Sequence, residues 1–216
     1  MARQSWQGSA FAGLACILMA GGLTGCASMS EEECLNADWR LMGFTDALQG
    51  RSTAALAQHR RACAAVNVTP DLDLYRQGHE EGARQYCTPA NGYRAGSSGS
   101  TYQGICPADL ETAFMRGYQD GRELYTITSE ISRLKGVVTT NEAGIDKLRR
   151  DIAKLEEGIV SSESTPDQRR ANLAEIENVG KDITEMEVVI ADAKRRLLEL
   201  ESEQETVTRE HRLLGY

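Results

Sequence analysis

The fold follows from residues 124–160, LYTITSEISRLKGVVTTNEAGIDKLRRDIAKLEEGIV, and from residues 166–216, PDQRRANLAEIENVGKDITEMEVVIADAKRRLLELESEQETVTREHRLLGY. In the first segment, seam residues recur at alternating spacings of four and three, as they do along a coiled coil. Its seam consists of Ile127, Ile131, Leu134, Val138, Asn141, Ile145, Leu148, Ile152, Leu155 and Ile159. The second segment repeats the pattern with Ile176, Val179, Ile183, Met186, Ile190, Ala193, Leu197, Leu200, Gln204, Val207, His211 and Leu214. The spacing predicts two long helices that pack through their seams.

Residues 161–165 separate the two helices and carry the signals of a helix start. Thr165 is a good N-cap, Pro166 suits the first helical position, and Gln168 completes a capping box. We therefore expect an antiparallel hairpin that turns near Thr165, with Ile131 facing Leu200. At ~1.5 Å per residue, the arm from residue 124 is on the order of 50 Å long, so it must protrude from a small domain.

Asn141 is the one polar residue of the first seam, and this register places it opposite Ile190. Such a residue can fix the register or mark where another chain enters. The alternative is a solvated local defect between Gly136 and Gly144, because glycine already weakens the helix there. The outer faces of both arms mix charges of both signs, which is typical of solvated surfaces.

The start of the chain predicts export rather than a folded element. Residues 1–25 contain one charge, Arg3, and a short apolar run, which is typical of a secretory signal peptide. Residues 23–26, LTGC, resemble a bacterial lipobox that ends at an acylated Cys26, and residues 26–33 would form a tether. The alternative is an ordinary cleavage site that precedes a cysteine. No aspartate follows Cys26, which favours an outer-membrane lipoprotein that faces the periplasm.

The remaining cysteines predict two disulfides. An even number of cysteines in an exported chain is typical of disulfide pairing. Cys34 and Cys63 lie at similar distances from a turn at residues 49–52, whereas Cys87 and Cys106 flank a loop. The alternative is that the cysteines bind zinc, but no two of them have the short spacing of a zinc ribbon.

Residues 34–123 predict a small helical head, and the chain as a whole is predicted to be all-α. Capping signals place one helix at about residues 31–48, a second from after the N-cap Ser52 to about residue 66, and a third from after Thr69, Pro70 and Asp71 to about residue 86. Residues 87–106 predict a long loop with a turn at Asn91 and Gly92. A helix that starts after Pro107 can run directly into the hairpin, residues 124–216.

A glycine pattern recurs in the head, in segments that start at Gly43, Gly78 and Gly117. Each has an acid three residues on and a small residue four on, so each predicts a notch for a close helix crossing. The three acids, Asp46, Glu81 and Asp120, would form a binding or catalytic cluster if they converged. The alternative is that each acid pairs with an arginine or faces solvent. Similarly, Tyr93 and Tyr102 of the loop either bind a glycan or partner, or cover the head.

Residues 34–125 resemble the DUF2799 family of bacterial lipoproteins, whose function is uncharacterised. The resemblance rests on Ala37, Asp38, Trp39, Gly43, Phe44, Asp46, His59, Cys63, Pro70, Asp71, Tyr75, Gly78, Gly82, Tyr86, Cys87, Pro89, Asn91, Gly92, Tyr93, Gly104, Cys106, Pro107, Gly121 and Tyr125. The chain departs from the family pattern at Ala47 and His79. The resemblance implies a cell-envelope lipoprotein and supplies no activity.

The function expected from the sequence is non-catalytic. The three histidines are too scattered for a metal triad, and no nucleophile elbow or phosphate loop is present, so we expect no enzyme, cofactor or metal site. A formal charge of −8 argues against a nucleic-acid partner. We expect a membrane-anchored scaffold that presents its hairpin to a protein. The alternative is a head that binds or hydrolyses a cell-wall glycan or peptide through Asp46, Glu81, Asp120 and the Tyr93/Tyr102 loop, and a third possibility is self-association through the hairpin.

Overall fold

The computed structural model of the protein describes residues 29–216, which form helices and no strand. The predicted signal peptide and the predicted lipidation site at Cys26 lie outside these residues. The all-α fold is confirmed. Its helices are α1 (Glu31–Leu35), α2 (Trp39–Leu48), α3 (Leu56–Cys63), α4 (Leu72–Tyr86), α5 (Pro89–Ser97), α6 (Ala108–Val160) and α7 (Pro166–Leu213), with short 3-10 turns at Thr53–Ala55 and Ala64–Val66.

Helices α6 and α7 form the predicted antiparallel hairpin, and the turn between them is capped as expected. The Thr165 hydroxyl accepts from the Gln168 N–H at 3.3 Å, and the Gln168 side chain accepts from the Thr165 N–H at 2.8 Å. Pro166 occupies the start of α7. Helix α6 passes residue 124 without a break and is on the order of 80 Å long, so the head and the first arm share one helix.

The hairpin buries its seam most completely near the head. Ile127, Ile131 and Leu134 pack against Ala193, Leu200 and Val207, and all six are less than a tenth exposed. Towards the turn, seam residues such as Leu148 and Leu155 are only half-buried. Two helices alone cannot enclose a seam completely, and the partly buried Val137, Val138 and Leu197 pack against this cluster.

Three ion pairs cross the hairpin at intervals of one heptad. Lys135 pairs with Glu201 at 2.9 Å, Glu142 with Lys194 at 2.8 Å, and Arg149 with Glu187 at 3.3 Å. Along each arm the three charges alternate in sign, and each of them faces a residue of opposite charge on the other arm. Part of the surface that the sequence predicts to be merely solvated therefore joins the two arms.

Asn141 makes its hydrogen bond inside its own helix. Its side-chain amide donates to the Val137 carbonyl at 2.8 Å, and the residue is half-buried. Within residues 29–216, Asn141 makes no hydrogen bond to the second arm. This hydrogen bond favours the interpretation that Asn141 is a local adjustment of α6, rather than a residue that fixes the register of the hairpin.

The head consists of two pairs of crossing helices, α2 with α4 and α5 with α6. At each crossing, glycines allow backbone to touch backbone: a Cβ on Gly43 would collide with the Tyr75 carbonyl, and one on Gly78 with the Arg40 carbonyl. The second crossing repeats the arrangement. A Cβ on Gly92, Gly96, Gly117 or Gly121 would collide with the carbonyl of Phe114, Tyr118, Pro89 or Tyr93, respectively.

The two helix pairs are copies of one structural unit. In the first unit, residues 34–86, α2 ends in a turn at Gly50 that lies over the Tyr86 ring. In the second unit, residues 87–125, α5 is followed by a turn at Gly99, which lies over the Tyr125 ring. Both turn glycines have φ +75, and a disulfide joins the segments that precede the two helices of each unit. The sequence pattern indicates three of the four notches, and the fourth, Gly92 with Gly96, completes the duplication.

The prediction of a loop at residues 87–106 is wrong for the first half of this segment, which forms α5. Thr88 caps this helix by accepting from the Asn91 N–H at 3.2 Å, and Pro89 stands in the first turn. The predicted turn at Asn91 and Gly92 is therefore helical. Glycine disfavours an isolated helix, but Gly92 and Gly96 are the contact points with α6, so tertiary packing overrides local propensity.

Two other predicted helices differ from the structure. The helix expected at residues 31–48 is broken after Leu35, because Asp38 starts a new helix by accepting from the Leu41 N–H at 3.0 Å. Ser52 makes no side-chain cap. Instead its own N–H donates to the Gln103 side chain at 2.9 Å, and the chain enters α3 through a 3-10 turn.

Both disulfides have the predicted connectivity. Cys34 is bonded to Cys63 with a Cα–Cα distance of 5.4 Å, and Cys87 to Cys106 with 5.6 Å. Each disulfide lies in its own small core: Trp39, Leu56 and Tyr75 surround the first, and Phe114 the second. In the loop-entropy model, each contributes about 3–4 kcal/mol, which is substantial for cores this small.

Candidate functional site

The carboxylate of Asp46 lies at the centre of a buried polar network in the first unit. It is 3% exposed and accepts from the Arg51 guanidinium at 2.9 Å and the Tyr75 hydroxyl at 2.6 Å, while His59 Nε2 lies at 2.8 Å. These partners come from the turn after α2, from α4 and from α3. Asp46 therefore ties three parts of the first unit together.

The interactions of this network are suited to stabilising the fold of the first unit. The Arg51 charge compensates the carboxylate, and burial, with the hydrogen bond to Asp46, raises the pKa of the Tyr75 phenol. His79 Nε2 lies 2.8 Å from the Arg51 carbonyl and so holds the arginine backbone. Both Asp46 oxygens are engaged within the protein, which leaves the carboxylate without access to a ligand.

The other two acids of the predicted cluster lie elsewhere. Glu81 is on the surface of the first unit, where its carboxylate pairs with Arg40 at 2.5 Å. Asp120 is in the second unit on α6, beside the phenols of Tyr93 and Tyr216, whose pKa values are raised by burial and further by the Asp120 charge. The structure therefore does not bring Asp46, Glu81 and Asp120 into one cleft.

Tyr93 contacts the end of the hairpin. Its ring stacks on the Tyr216 ring with centroids 4.6 Å apart and 4° between the planes, and the His211 ring meets it edge-on at 5.3 Å. His211 is buried, and its Nε2 lies 3.5 Å from the Glu123 carboxylate. Tyr93 thus fastens α7 to the second unit.

Tyr102 also packs onto the head. Its hydroxyl accepts from the Cys106 N–H at 3.0 Å and donates to the Glu111 carboxylate at 3.1 Å, and its ring lies 4.9 Å from that of Phe114. The structure supports the interpretation that the loop tyrosines cover the head. Neither tyrosine is presented for recognition in the way that the glycan hypothesis requires.

No metal site is formed by the histidines, cysteines and acids of residues 29–216, since no three of them come together in a suitable cluster. The four cysteines in this range are all disulfide-bonded, so none of them is a zinc ligand in this structure.

The far end of the hairpin is the candidate functional site. Two apolar side chains are exposed there: Val160, the last residue of α6, is 82% exposed, and Leu173, in the second turn of α7, is 56% exposed. The turn beneath them is held by internal hydrogen bonds. The Ser164 hydroxyl donates to the Gly158 carbonyl, Arg169 donates to the Ser161 carbonyl at 3.1 Å, and Asn172 donates to the Leu155 carbonyl at 3.3 Å. We call residues 158–173 the tip.

Reasoning from the seam passes over these two side chains, because neither Val160 nor Leu173 occupies a seam position. The signal that identifies them is the presence of apolar residues outside the heptad pattern and next to a capped turn. Such residues gain nothing from the packing of the hairpin itself, so both side chains remain available for contact with a partner.

Comparison with known proteins finds one family model that matches most of the head. Residues 38–123 match the family model described as a protein of unknown function (DUF2799). No curated protein and no solved structure shows significant similarity to the chain. Within residues 29–216, none of the helices combines the length and the apolar character that crossing a membrane requires.

Proposed function

We propose that this protein, whose residues 38–123 match the DUF2799 family of unknown function, is a non-catalytic scaffold. The head serves as a rigid base, and the hairpin presents the tip to a partner protein in the periplasm. The observation that carries the proposal is the exposure of Val160 and Leu173 at the end of the arm, on a turn held by its own hydrogen bonds.

The geometry of the arm supports a spacer role. From residue 124 the first arm continues for on the order of 55 Å beyond the head, and α6 carries it without a hinge. Exposed apolar side chains at the end of a rigid arm reach a partner with little loss of conformational freedom, which favours binding. The dispersal of Asp46, Glu81 and Asp120 removes the principal argument for a catalytic head.

The anchoring part of the proposal rests on the sequence alone. A lipobox at residues 23–26 and the residues that follow Cys26 favour acylation and retention at the outer membrane. Stable anchoring needs more than one acyl chain, which the processing of such a cysteine supplies. The protein would then face the periplasm, an oxidising compartment in which both disulfides persist.

A site-specific crosslinker tests the tip. A photoreactive residue at position 160 in the cell is expected to capture one defined protein, and Leu173→Glu is expected to reduce that capture strongly because it places a charge in the apolar contact. The same photoreactive residue at position 140, an exposed threonine on the side of α6, is the matched control. Equal capture at both positions, or no capture at position 160, contradicts the proposal.

Acylation is tested separately. Growth with labelled palmitate should label the wild-type protein, and Cys26→Ser should abolish the label and release the protein from the membrane fraction. An unlabelled wild type would show that the lipid anchor is absent, and a labelled Cys26→Ser protein would show that the acyl chain is attached elsewhere; neither result affects the tip experiment.

A further inference from the structure

A polar cleft lies where the two units of the head meet. It has a volume of about 430 Å3, within the range of small-molecule sites. Gln49 and Tyr86 line it from the first unit, and Asn91, Arg94, Ser98 and Gln103 from the second. It shares no residue with the tip, with the Asp46 network or with the pair Tyr93 and Tyr102.

The duplication of the unit explains why a cleft exists here. In the first unit, Gly50 lies over Tyr86 so closely that a Cβ would stand 2.6 Å from the phenol oxygen. In the second unit, the equivalent Tyr125 ring is covered by the Arg122 guanidinium, which lies 4.8 Å from the ring centroid. The residue that corresponds to Arg122 in the first unit is Ala83, whose methyl group is too short to extend over the Tyr86 ring. The tyrosine edge therefore faces open space.

Several hydrogen-bond donors that line the cleft are not used by other groups of residues 29–216. Within residues 29–216, the Arg94 guanidinium makes no hydrogen bond or ion pair, and the Tyr86 hydroxyl makes no hydrogen bond. The Gln103 side-chain oxygen is already used by the Ser52 N–H, so this residue offers its amide N–H groups. Arg94 is placed to recognise a carboxylate, because its guanidinium presents paired donors.

The charge and polarity of the lining restrict the ligand class. The chain has 32 acidic residues, yet none of those in the part that the structure describes lines the cleft, where Arg94 supplies the charge. Ala95 and Thr101 supply the only methyl groups of the lining, and it contains no Val, Leu, Ile, Met or Phe, so the site offers little to an apolar ligand. Amides, hydroxyls and a phenol are instead the groups that match the hydroxyls of a sugar.

We propose that this cleft binds an acidic sugar of monosaccharide size, with its carboxylate on Arg94 and its hydroxyl or acetamido oxygens on Gln103 and Tyr86. This inference stands independently of the scaffold function of the tip. It also differs from the glycan hypothesis based on Asp46, Glu81, Asp120 and the pair Tyr93 and Tyr102, whose side chains are dispersed or engaged within the protein.

Calorimetric titration of the full chain in detergent micelles tests the proposal. N-acetylmuramic acid and N-acetylglucosamine share the ring and acetamido group and differ by the lactyl carboxylate, so the acid should bind at least about tenfold more tightly. Glucuronic acid, which lacks the acetamido group, distinguishes a surface polysaccharide from a cell-wall source. Binding of either acid in preference to the neutral sugar supports the site.

Variants locate the binding. Arg94→Gln should abolish the preference for the acid, whereas Arg76→Gln, which removes the same charge from an exposed part of α4 outside the cleft, should leave it unchanged. Thr101→Trp should block binding of all three sugars by filling the cleft, and circular dichroism checks that each variant is folded. The proposal is overturned if neither acid binds, if all three sugars bind alike, or if Arg94→Gln leaves the preference intact.

Discussion

At the scale of single residues, the head depends on glycines, which have no Cβ and so allow two helix backbones to touch. Gly78 and Gly117 each face a carbonyl oxygen of the opposing helix, Arg40 and Pro89 respectively, at distances that leave no space for a Cβ. Glycine weakens an isolated helix by roughly 1 kcal/mol relative to alanine, so these positions are stable only because the crossing helices approach closely. Gly136, by contrast, has no packed neighbour within 4 Å of the position that a Cβ would occupy, so it has no such role.

Alanine substitutions separate the two kinds of glycine. Gly78→Ala should lower the free energy of unfolding by about 1–3 kcal/mol or more, because the methyl forces α2 and α4 apart. Gly136→Ala should raise it by about 0.5–1 kcal/mol, because alanine favours the helix and nothing is displaced. Urea unfolding followed by circular dichroism measures both. A neutral Gly78→Ala would show that the crossing is looser than the structure has it.

The Asp46 network makes the stability of the first unit depend on pH. Burial and the hydrogen bond to Asp46 raise the pKa of Tyr75 above its ordinary value of 10.0. The folded protein therefore keeps a proton that the unfolded chain releases above that pH, so stability is complete below about pH 10 and falls as the pH rises further.

Tyr75→Phe tests this linkage. At neutral pH it should cost about 1–2 kcal/mol, since a buried hydrogen bond to a charged acceptor is lost. Above pH 10 its stability should fall less steeply than that of the wild type, because the titrating group is gone. Urea unfolding at a series of pH values measures both effects, and parallel pH profiles for the two proteins would contradict the assignment.

At the scale of elements, the ion pairs of the hairpin specify how the two arms align. A shift of α7 by one heptad in one direction would place Lys135 against Lys194 and Glu142 against Glu187. The opposite shift would place Glu142 against Glu201 and Arg149 against Lys194. Each exposed pair contributes little by itself, but the repulsion in both slipped registers disfavours alternatives that the apolar seam alone would tolerate.

Charge exchange at one pair measures this contribution. Glu142→Lys should lower stability by about 0.5–1 kcal/mol because it places a lysine opposite Lys194, and the double variant with Lys194→Glu should recover most of the loss. The coupling should shrink at high salt, since both side chains are half exposed. A double variant no more stable than Glu142→Lys alone would show that the pair does not contribute to the alignment.

At the scale of the whole molecule, aromatic contacts hold the returning arm to the head. Tyr216 and His211 meet Tyr93 of α5, while α6 belongs to both the head and the hairpin. The arm is therefore attached to the second unit through α6 itself and through the end of α7. This double attachment is what a spacer needs if it is to hold its tip in a defined position.

Removal of the stacked ring should loosen the base of the hairpin. Tyr216→Ala is expected to cost about 0.5–1.5 kcal/mol through the lost ring contact and to speed hydrogen exchange in the last turns of α7, with little effect at the tip. Leu213→Ala is the control, because Leu213 is 83% exposed and contributes little packing. Equal exchange in the two variants would mean that the stacking does not hold the arm.

The hairpin, its turn and the pairing of the cysteines could all be predicted from the amino-acid sequence. A heptad seam and a capping box are local or periodic signals, so residues such as Ile131, Leu200, Thr165 and Gln168 reveal their roles without knowledge of the rest of the chain. Three glycine notches are visible for the same reason.

Features that depend on partners distant in sequence became evident only from the packed helices. Residues 89–97 form a helix because Gly92 and Gly96 pack on α6, although their local composition favours a loop. The roles of Asp46, Tyr93 and Tyr102 also follow from contacts that no spacing indicates. The physical reason is that heptads and caps are satisfied within or between adjacent helices, whereas a backbone crossing or a buried polar network exists only after the helices have packed.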